Sequence, residues 1–424
     1  MTTDDQSDDI PAVVTGNDRD IVTNALVAVL FGIGALAIMV AIARSGGLSE
    51  SDLISWVFGG YGITGLMSIV FALRYRAPLP MAWTMAGAVL IGPALERFAF
   101  AEIIGAYCAT GAIVLILGLT GWIRRVMDLV PMPIVFGMVA GIFLQFVLDI
   151  VGAFDKSFWL VFAMVGAYVA TAAVPSVPRV VPPLLAALAI GVAVVLGGEG
   201  LAPDQLIPLT LAVPNIYVPQ FSLLAMVDLV IPLTITVIGI HNAQGFAIAR
   251  SKGIEAPESI LTTMCGVSSF ALAVFGSVPT CFAGPSLAIM TEAGRKDRWY
   301  IGVLIFGFLF LVIAAFAPTA IGLALALPEA LITVVAGLAL FGVLRDSMTT
   351  AFVSEFRVGA LVAFVVTVSG IQPFGIGAAF WGLVFGYAIS AALEREAFLS
   401  RKTPYGMLHR KEDEAKKTSN EAQH

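Results

Sequence analysis

Apolar stretches of about 20 residues recur from Ile21 to Leu393, separated by short polar breaks, and each is long enough to cross a hydrocarbon core of about 30 Å. No water-soluble fold is open to such a chain, because only lipid can cover so much apolar surface. Of its residues 59% are hydrophobic and 12% charged, with a mean hydropathy of +0.95, against roughly 45–50% apolar usage in a soluble domain. The chain is expected to be membrane domain apart from its ends. Residues 1–20 are acidic, lack the basic start of a cleavable signal, and read as a disordered cytoplasmic N-terminus. Residues 394–424 carry mixed charge and read as a cytoplasmic tail.

Breaks at Gly, Pro and charged residues divide the apolar region into about fourteen spans. The first seven lie near 21–44, 53–73, 79–96, 101–121, 131–150, 157–174 and 180–197. The second seven lie near 225–250, 259–276, 277–292, 299–317, 328–344, 356–371 and 374–393, after an external loop over 198–224. Cytoplasmic loops carry the excess of Lys and Arg, which tests the count, since one span added or lost inverts every later loop. With the N-terminus inside, only Arg44, Arg97 and Lys156 of the 23 basic residues fall outside. The expected location is a bacterial inner membrane, multi-pass, with both termini cytoplasmic.

Two segments, Leu79 to Glu96 and Ser277 to Glu292, are short and interrupted by Gly and Pro. Each reads as a short strand followed by a half-helix. Thr84 and Thr280 lie 196 residues apart, and the same offset carries Val139-Ala140-Gly141 onto Val335-Ala336-Gly337. A shared offset predicts a duplicated unit of seven spans, residues 21–197 and 225–393. Seven is odd, so the second copy enters the membrane inverted, an architecture of many secondary transporters. The fold class expected is thus an all-α polytopic membrane protein, a 7+7 inverted repeat with two broken spans.

Non-helical backbone at mid-membrane is tolerated only where protein buries it or where it lines a cavity. The broken spans therefore mark the site. Half-helices beginning near Met85 and Cys281 would point their N-termini at each other, each offering unpaired N–H groups and about half a positive charge. No basic residue lies deep in any span, so these termini are what can meet an anion. The candidate binding residues are Trp83, Thr84, Met85, Ala86 and Gly87 in the first break, and Thr280, Cys281, Phe282 and Ala283 in the second. Trp83 and Phe282 present faces on which an aromatic ring can stack; the alternative is that they fill space between helices.

Ile240-His241-Asn242-Ala243-Gln244-Gly245 is the most polar run inside any span. Polar groups there carry an insertion cost and usually face the bundle interior or a cavity, which adds Asn242 and Gln244 to the binding candidates. His241 is the one histidine within the spans, and an imidazole titrates between pH 5 and 8. It is the candidate for proton coupling; the alternative is a neutral histidine bonded to a neighbouring carbonyl.

Other chemistry is not supported. Cys108, Cys265 and Cys281 form no CxxC pair and have no histidine at metal-ligand spacing, so neither a disulfide framework nor a metal is expected. There is no Walker motif, no nucleophile constellation and no basic cluster for nucleic acid. The chain reads as no enzyme, with an ion gradient in place of a cofactor. A proton is the natural co-ion, because it neutralises a carboxylate that otherwise works against about 2.3 kcal/mol per 100 mV.

Four motifs add a family. Gly46-Gly47-Leu48-Ser49, Tyr75-Arg76-Ala77-Pro78-Leu79-Pro80-Met81-Ala82-Trp83, Gly118-Leu119-Thr120-Gly121 and Asn242-Ala243-Gln244-Gly245, in that order and spacing, make residues 20–393 resemble the benzoate:proton symporter family known as BenE. The resemblance implies a fold similar to uracil permease and related to sulfate permeases. It also implies a core of spans one to four and eight to eleven, and a gate of spans five to seven and twelve to fourteen. Where family members carry Trp-Ser-Thr-Pro-Gly, this chain has Trp83-Thr84-Met85-Ala86-Gly87, which bears on the cargo more than on the fold. Nucleobase carriers of this fold place a glutamate in span eight and another at the tenth span's break. Here Asp228 stands only at the outer end of span eight, and Ser277–Pro285 has no acid.

The function expected is proton-coupled symport of benzoate or a similar aromatic carboxylate. The alternatives are a carrier of another anion or a nucleobase on the same fold, and an uncoupled anion channel. A homodimer through the gate helices and a monomer both stay open.

Overall fold

The structure, a computed structural model, describes residues 18–122, 131–174, 182–197, 209–292, 294–353 and 355–399. The two tails and the loops bearing Arg124, Arg125 and Arg179 lie wholly or largely outside the described residues, as do residues 198–208 of the loop over 198–224.

The elements run α1 (Asp18–Ser45), α2 (Glu50–Tyr75), β1 (Met81–Trp83), α3 (Met85–Leu95), α4 (Phe100–Thr120), α5 (Met132–Ala173) and α6 (Pro183–Gly197). They continue with α7 (Leu223–Ser251), a composite helix with two π-helical turns, α8 (Glu258–Val274), β2 (Thr280–Phe282), α9 (Gly284–Met290) and α10 (Trp299–Ala315). Last come α11 (Ala317–Ala326), α12 (Glu329–Val353), α13 (Arg357–Ser369), α14 (Ala378–Leu393) and α15 (Arg395–Leu399).

Local chemistry sets the ends. Gly47 turns the chain at φ +69°. The Ser49 hydroxyl then accepts the Asp52 amide while the Asp52 carboxylate accepts the Ser49 amide, a reciprocal cap that opens α2. Pro78 and Pro80 end its helical course and leave the extended run that becomes β1.

Among the described residues, seven helices are long and apolar enough to cross a membrane, and six shorter apolar ones accompany them. α5 covers spans five and six in one run. Its only break is at Ser157, where φ −154° and ψ 69° leave the helical region; the sequence placed that break one residue earlier, as a loop over 151–156. α11 was not anticipated: Pro318 falls in its first turn, where a proline's missing N–H costs nothing, so the stretch after span eleven stays helical.

The repeat is inverted. An extended strap, residues 209–222, donates the Asn215 amide to Ser55 at the start of α2 and the Tyr217 amide to Val274 at the end of α8. It also donates the Gln220 amide to Ala101 at the start of α4 and the Ala212 amide to Ala315 at the end of α10. α8 is the second-repeat counterpart of α2, and α10 that of α4, so counterparts run in opposite directions. The halves interlock through glycines: a Cβ on Gly65 of α2 would lie 2.7 Å from the Gly307 carbonyl of α10, and one on Gly118 of α4 would lie 2.5 Å from the Thr263 amide of α8. Such backbone approach is the small-residue packing of membrane helices.

Two bodies result. α2 and α8 flank the strand pair, with α10 packed on α2, α4 on α8, and α1, α3, α7 and α9 completing the core; α5, α6, α12, α13 and α14 form the gate. α1 and α3 are among the core helices that touch the gate.

Candidate functional site

The two broken spans meet as a two-stranded antiparallel sheet, with Met81 opposite Phe282, Ala82 opposite Cys281 and Trp83 opposite Thr280. The Thr84 amide donates to the Pro279 carbonyl at 2.9 Å, and the Ala283 amide to the Pro80 carbonyl at 3.0 Å. The Met81 amide donates to the Ser68 hydroxyl of α2 at 2.8 Å, and the Thr280 amide to the Ser269 hydroxyl of α8 at 3.1 Å. Each pair of bonds exchanges under one two-fold relation that equates Pro80 with Pro279, Met81 with Thr280, Thr84 with Ala283 and Met85 with Gly284. That offset is 199 residues. The sequence offset of 196 thus slips by three here: Thr84 caps α3 while Thr280 lies within β2. The second half-helix begins at Gly284, three residues after Cys281, because the extended run lasts through Phe282.

Thr84 is fully buried, and its hydroxyl accepts the Gly87 amide at 3.1 Å, capping α3. The same oxygen lies 3.3 Å from Nδ1 of His241 and 3.4 Å from the Thr236 hydroxyl. His241 Nδ1 is 2.9 Å from the Thr236 carbonyl. A carbonyl only accepts, so Nδ1 carries the hydrogen and Nε2 is left with its lone pair. A π-helical turn over Thr236–Asn242 brings carbonyl and ring together; such turns concentrate at functional sites. The Thr236 hydroxyl donates to the Leu233 carbonyl at 2.8 Å. The Thr84 oxygen is therefore already engaged by the protein, and the first-turn amides of Met85 and Ala86 are those that capping by Thr84 leaves for a ligand.

The remaining candidates divide by exposure. Asn242 is fully buried, and its Oδ1 accepts the Phe282 amide at 2.8 Å, tying β2 to the turn that holds His241. Phe282 is fully buried against Gly245 and Phe246, its ring centroid 5.4 Å from that of Phe246. Trp83 is 5% exposed, 6.3 Å from the Tyr61 ring. Both rings are packed among the core helices. Cys281, Ala283, Ala86 and Gly87 are buried, as is Thr280, whose hydroxyl has no hydrogen-bond partner among the described residues. Met85 and His241 are half-buried and Gln244 is exposed. His241, Gln244 and Ala247 thus form an open stripe on α7 beside the start of α9, where Gln244 Cγ lies 3.1 Å from the position of a Gly284 Cβ.

A cavity of about 950 Å³ opens between core and gate toward the end of the molecule that bears Arg44, Arg97 and Lys156. Val89 and Leu90 of α3 line its inner wall, four residues past Met85, about 6 Å along a helix. The α3 terminus stands between this cavity and the open stripe of α7. Sequence reasoning passed over Ser68, Ser269 and Thr236, which position the site. A lone hydroxyl in an apolar span usually bonds its own helix, so nothing in the sequence marked these three.

A bundle of inverted halves, with opposed breaks between a core and a gate, defines the class: this is a polytopic membrane transporter. Solved structures agree on the fold. The transmembrane domain of the cyanobacterial bicarbonate transporter BicA aligns with a TM-score of 0.58 at 15% identity, over 87% of this chain and 97% of that one. The murine anion transporter Slc26a9 in its inward-facing state aligns with a TM-score of 0.59 at 15% identity, over 87% of this chain and 68% of that one.

Residues 18–392 match the family described as benzoate membrane transport protein, BenE, and the chain belongs to it. It is 31% identical to the inner membrane protein YdcO of Escherichia coli strain K12, over 85% of this chain and 92% of that one. It is 26% identical to the benzoate membrane transport protein of Acinetobacter baylyi, over 83% and 89% respectively.

Proposed function

We propose that this protein carries benzoate or a similar aromatic carboxylate into the cell by proton symport. The observation that carries the reading is the approach of His241 to the first turn of α3 through Thr84, 3.3 Å from Nδ1. A titratable base stands beside the amides that would meet the carboxylate, so proton and anion reinforce each other's binding. Membership of the benzoate transport family supports the cargo, and the open stripe at His241 and Gln244 supports access from one end.

In this reading the carboxylate lies at the Met85 and Ala86 amides, its ring along Met85 and the α7 stripe, and Nε2 of His241 takes the proton. Core and gate then move past each other, exposing the site to one end at a time. Both termini are cytoplasmic, so the end with Arg44, Arg97 and Lys156 faces outward. No cofactor enters, because the gradient supplies the energy. Every residue of the site comes from one chain, and a homodimer through the gate adds nothing to it.

Radiolabelled benzoate uptake into proteoliposomes, with and without an inward proton gradient, tests this. Gradient-driven accumulation that unlabelled benzoate competes away is expected. Uptake that only equilibrates indicates a channel, and uptake of uracil or sulfate in place of benzoate overturns the cargo.

A further inference from the structure

Asp228 is a buried carboxylate that the site above does not use. It lies near the start of α7 at 3% exposure, with Oδ2 2.7 Å from Arg97 Nη1, and Arg97 is itself only 15% exposed. Both residues belong to the core: Arg97 follows α3 and its Nε donates to the Pro93 carbonyl at 3.2 Å. Their remaining bonds cross to the gate. Asp228 Oδ1 accepts the Gly377 amide at 2.7 Å, and Arg97 Nη1 donates to the Gly375 carbonyl at 3.0 Å. Gly375 and Gly377 form the turn between α13 and α14.

We propose that Arg97 and Asp228 are a latch, with which the core grips the α13–α14 turn of the gate and holds the two bodies together at this end. A buried pair serving only the core would meet its needs within the core; this one spends a lone pair and an N–H on a backbone that belongs to the other body. The turn is shaped to receive it. A Cβ at Gly377 would lie 2.7 Å from Arg97 Nη2 and 2.9 Å from Asp228 Oδ1, although φ −71° there suits any residue. Glycine is needed at 377 for the approach of the charges, not for the backbone. Any sliding of core against gate must break the two crossing bonds, so the latch biases which end is open. The inference rests on the transporter class alone and is independent of cargo and proton.

The test is cysteine labelling in nanodiscs with a membrane-impermeant maleimide, which reads conformation without transport. Reporters are Thr333→Cys, a half-buried gate residue on the cavity wall, and separately Gln244→Cys on the α7 stripe, both with Cys108→Ser. Two perturbations release the latch by different routes: Gly377→Ala wedges the gate away and leaves the charges paired, while Arg97→Gln with Asp228→Asn removes both charges together. In each, labelling at Thr333→Cys should rise about threefold or more and labelling at Gln244→Cys should fall, since opening one end closes the other. Unchanged or slower labelling at Thr333→Cys in both backgrounds overturns the latch. So does a rise at both reporters, which reports general loosening.

Discussion

Ser68→Ala and Ser269→Ala are a matched pair of perturbations that the inverted repeat makes quantitative. Each removes one hydroxyl oxygen, creates almost no cavity, and strands one buried amide: Met81 at 2.8 Å from Ser68, Thr280 at 3.1 Å from Ser269. All four residues are fully buried, so water cannot replace the lost acceptor. An orphaned buried amide costs about 1–3 kcal/mol, and each variant should lose that much. The double variant should lose less than the sum, because the strands lie in one ladder and the first loss already weakens it. Reversible unfolding in mixed micelles, followed by tryptophan fluorescence, measures the difference. Ser68→Thr and Ser269→Thr keep the hydroxyl and should recover most of the loss. Ser251→Ala, which removes an exposed hydroxyl that donates to the Ile248 carbonyl, should stay within about 0.5 kcal/mol of the parent. A loss at one serine and none at the other refutes the two-fold reasoning, and no loss at either refutes the assigned bonds.

His241→Ala should abolish proton-driven accumulation while leaving counterflow of benzoate measurable; wild-type accumulation in that variant removes the proton role. Thr84→Val should weaken benzoate binding severalfold, as the loss of a helix cap worth about 1 kcal/mol implies, without lowering expression; a binding isotherm that overlays the parent's refutes it. Thr280→Val removes a buried hydroxyl with no partner among the described residues, so it should weaken binding if the cargo uses that hydroxyl. Raised thermal stability with unchanged affinity would instead mark the group as idle.

The spans were legible because hydropathy and length report directly on solvent, and lipid leaves few alternatives. The two broken spans were legible as well, since Pro80, Gly87, Pro279 and Gly284 cannot sit quietly in a continuous helix. Register was not. A run of small residues matches its copy almost equally well at several offsets: Thr84 and Thr280 match at 196, whereas the hydrogen bonds equate Thr84 with Ala283 and Met81 with Thr280 at 199. Side-chain duties were legible only in kind. His241, Asn242 and Gln244 stand out as polar in a span, but only their packing separates Asn242, spent on the Phe282 amide, from Gln244, which is exposed.

The scaffold obeys the two-fold relation closely: strands, serine braces and glycine crossings all have counterparts. The helices flanking the strand pair do not. α7 brings Thr236, His241 and Asn242 to it, whereas α1, which holds the corresponding place in the first repeat, has no polar side chain between Asn24 and Arg44. A site that bound its cargo symmetrically would gain nothing from this difference. On the proposed function, a carboxylate and a proton need an anion-binding terminus and a base, and the duplicated frame would supply two of each unless one copy were stripped. Adding polarity to α1 should therefore harm more than help: Met39→Asn, at a fully buried position that packs beside Trp83 against Gly60, would lose the thioether's packing and bury an amide side chain in apolar surroundings, at a cost of about 2–5 kcal/mol. A stable Met39→Asn variant with tighter benzoate binding would show instead that the bare half of the site is an unfinished copy of the other.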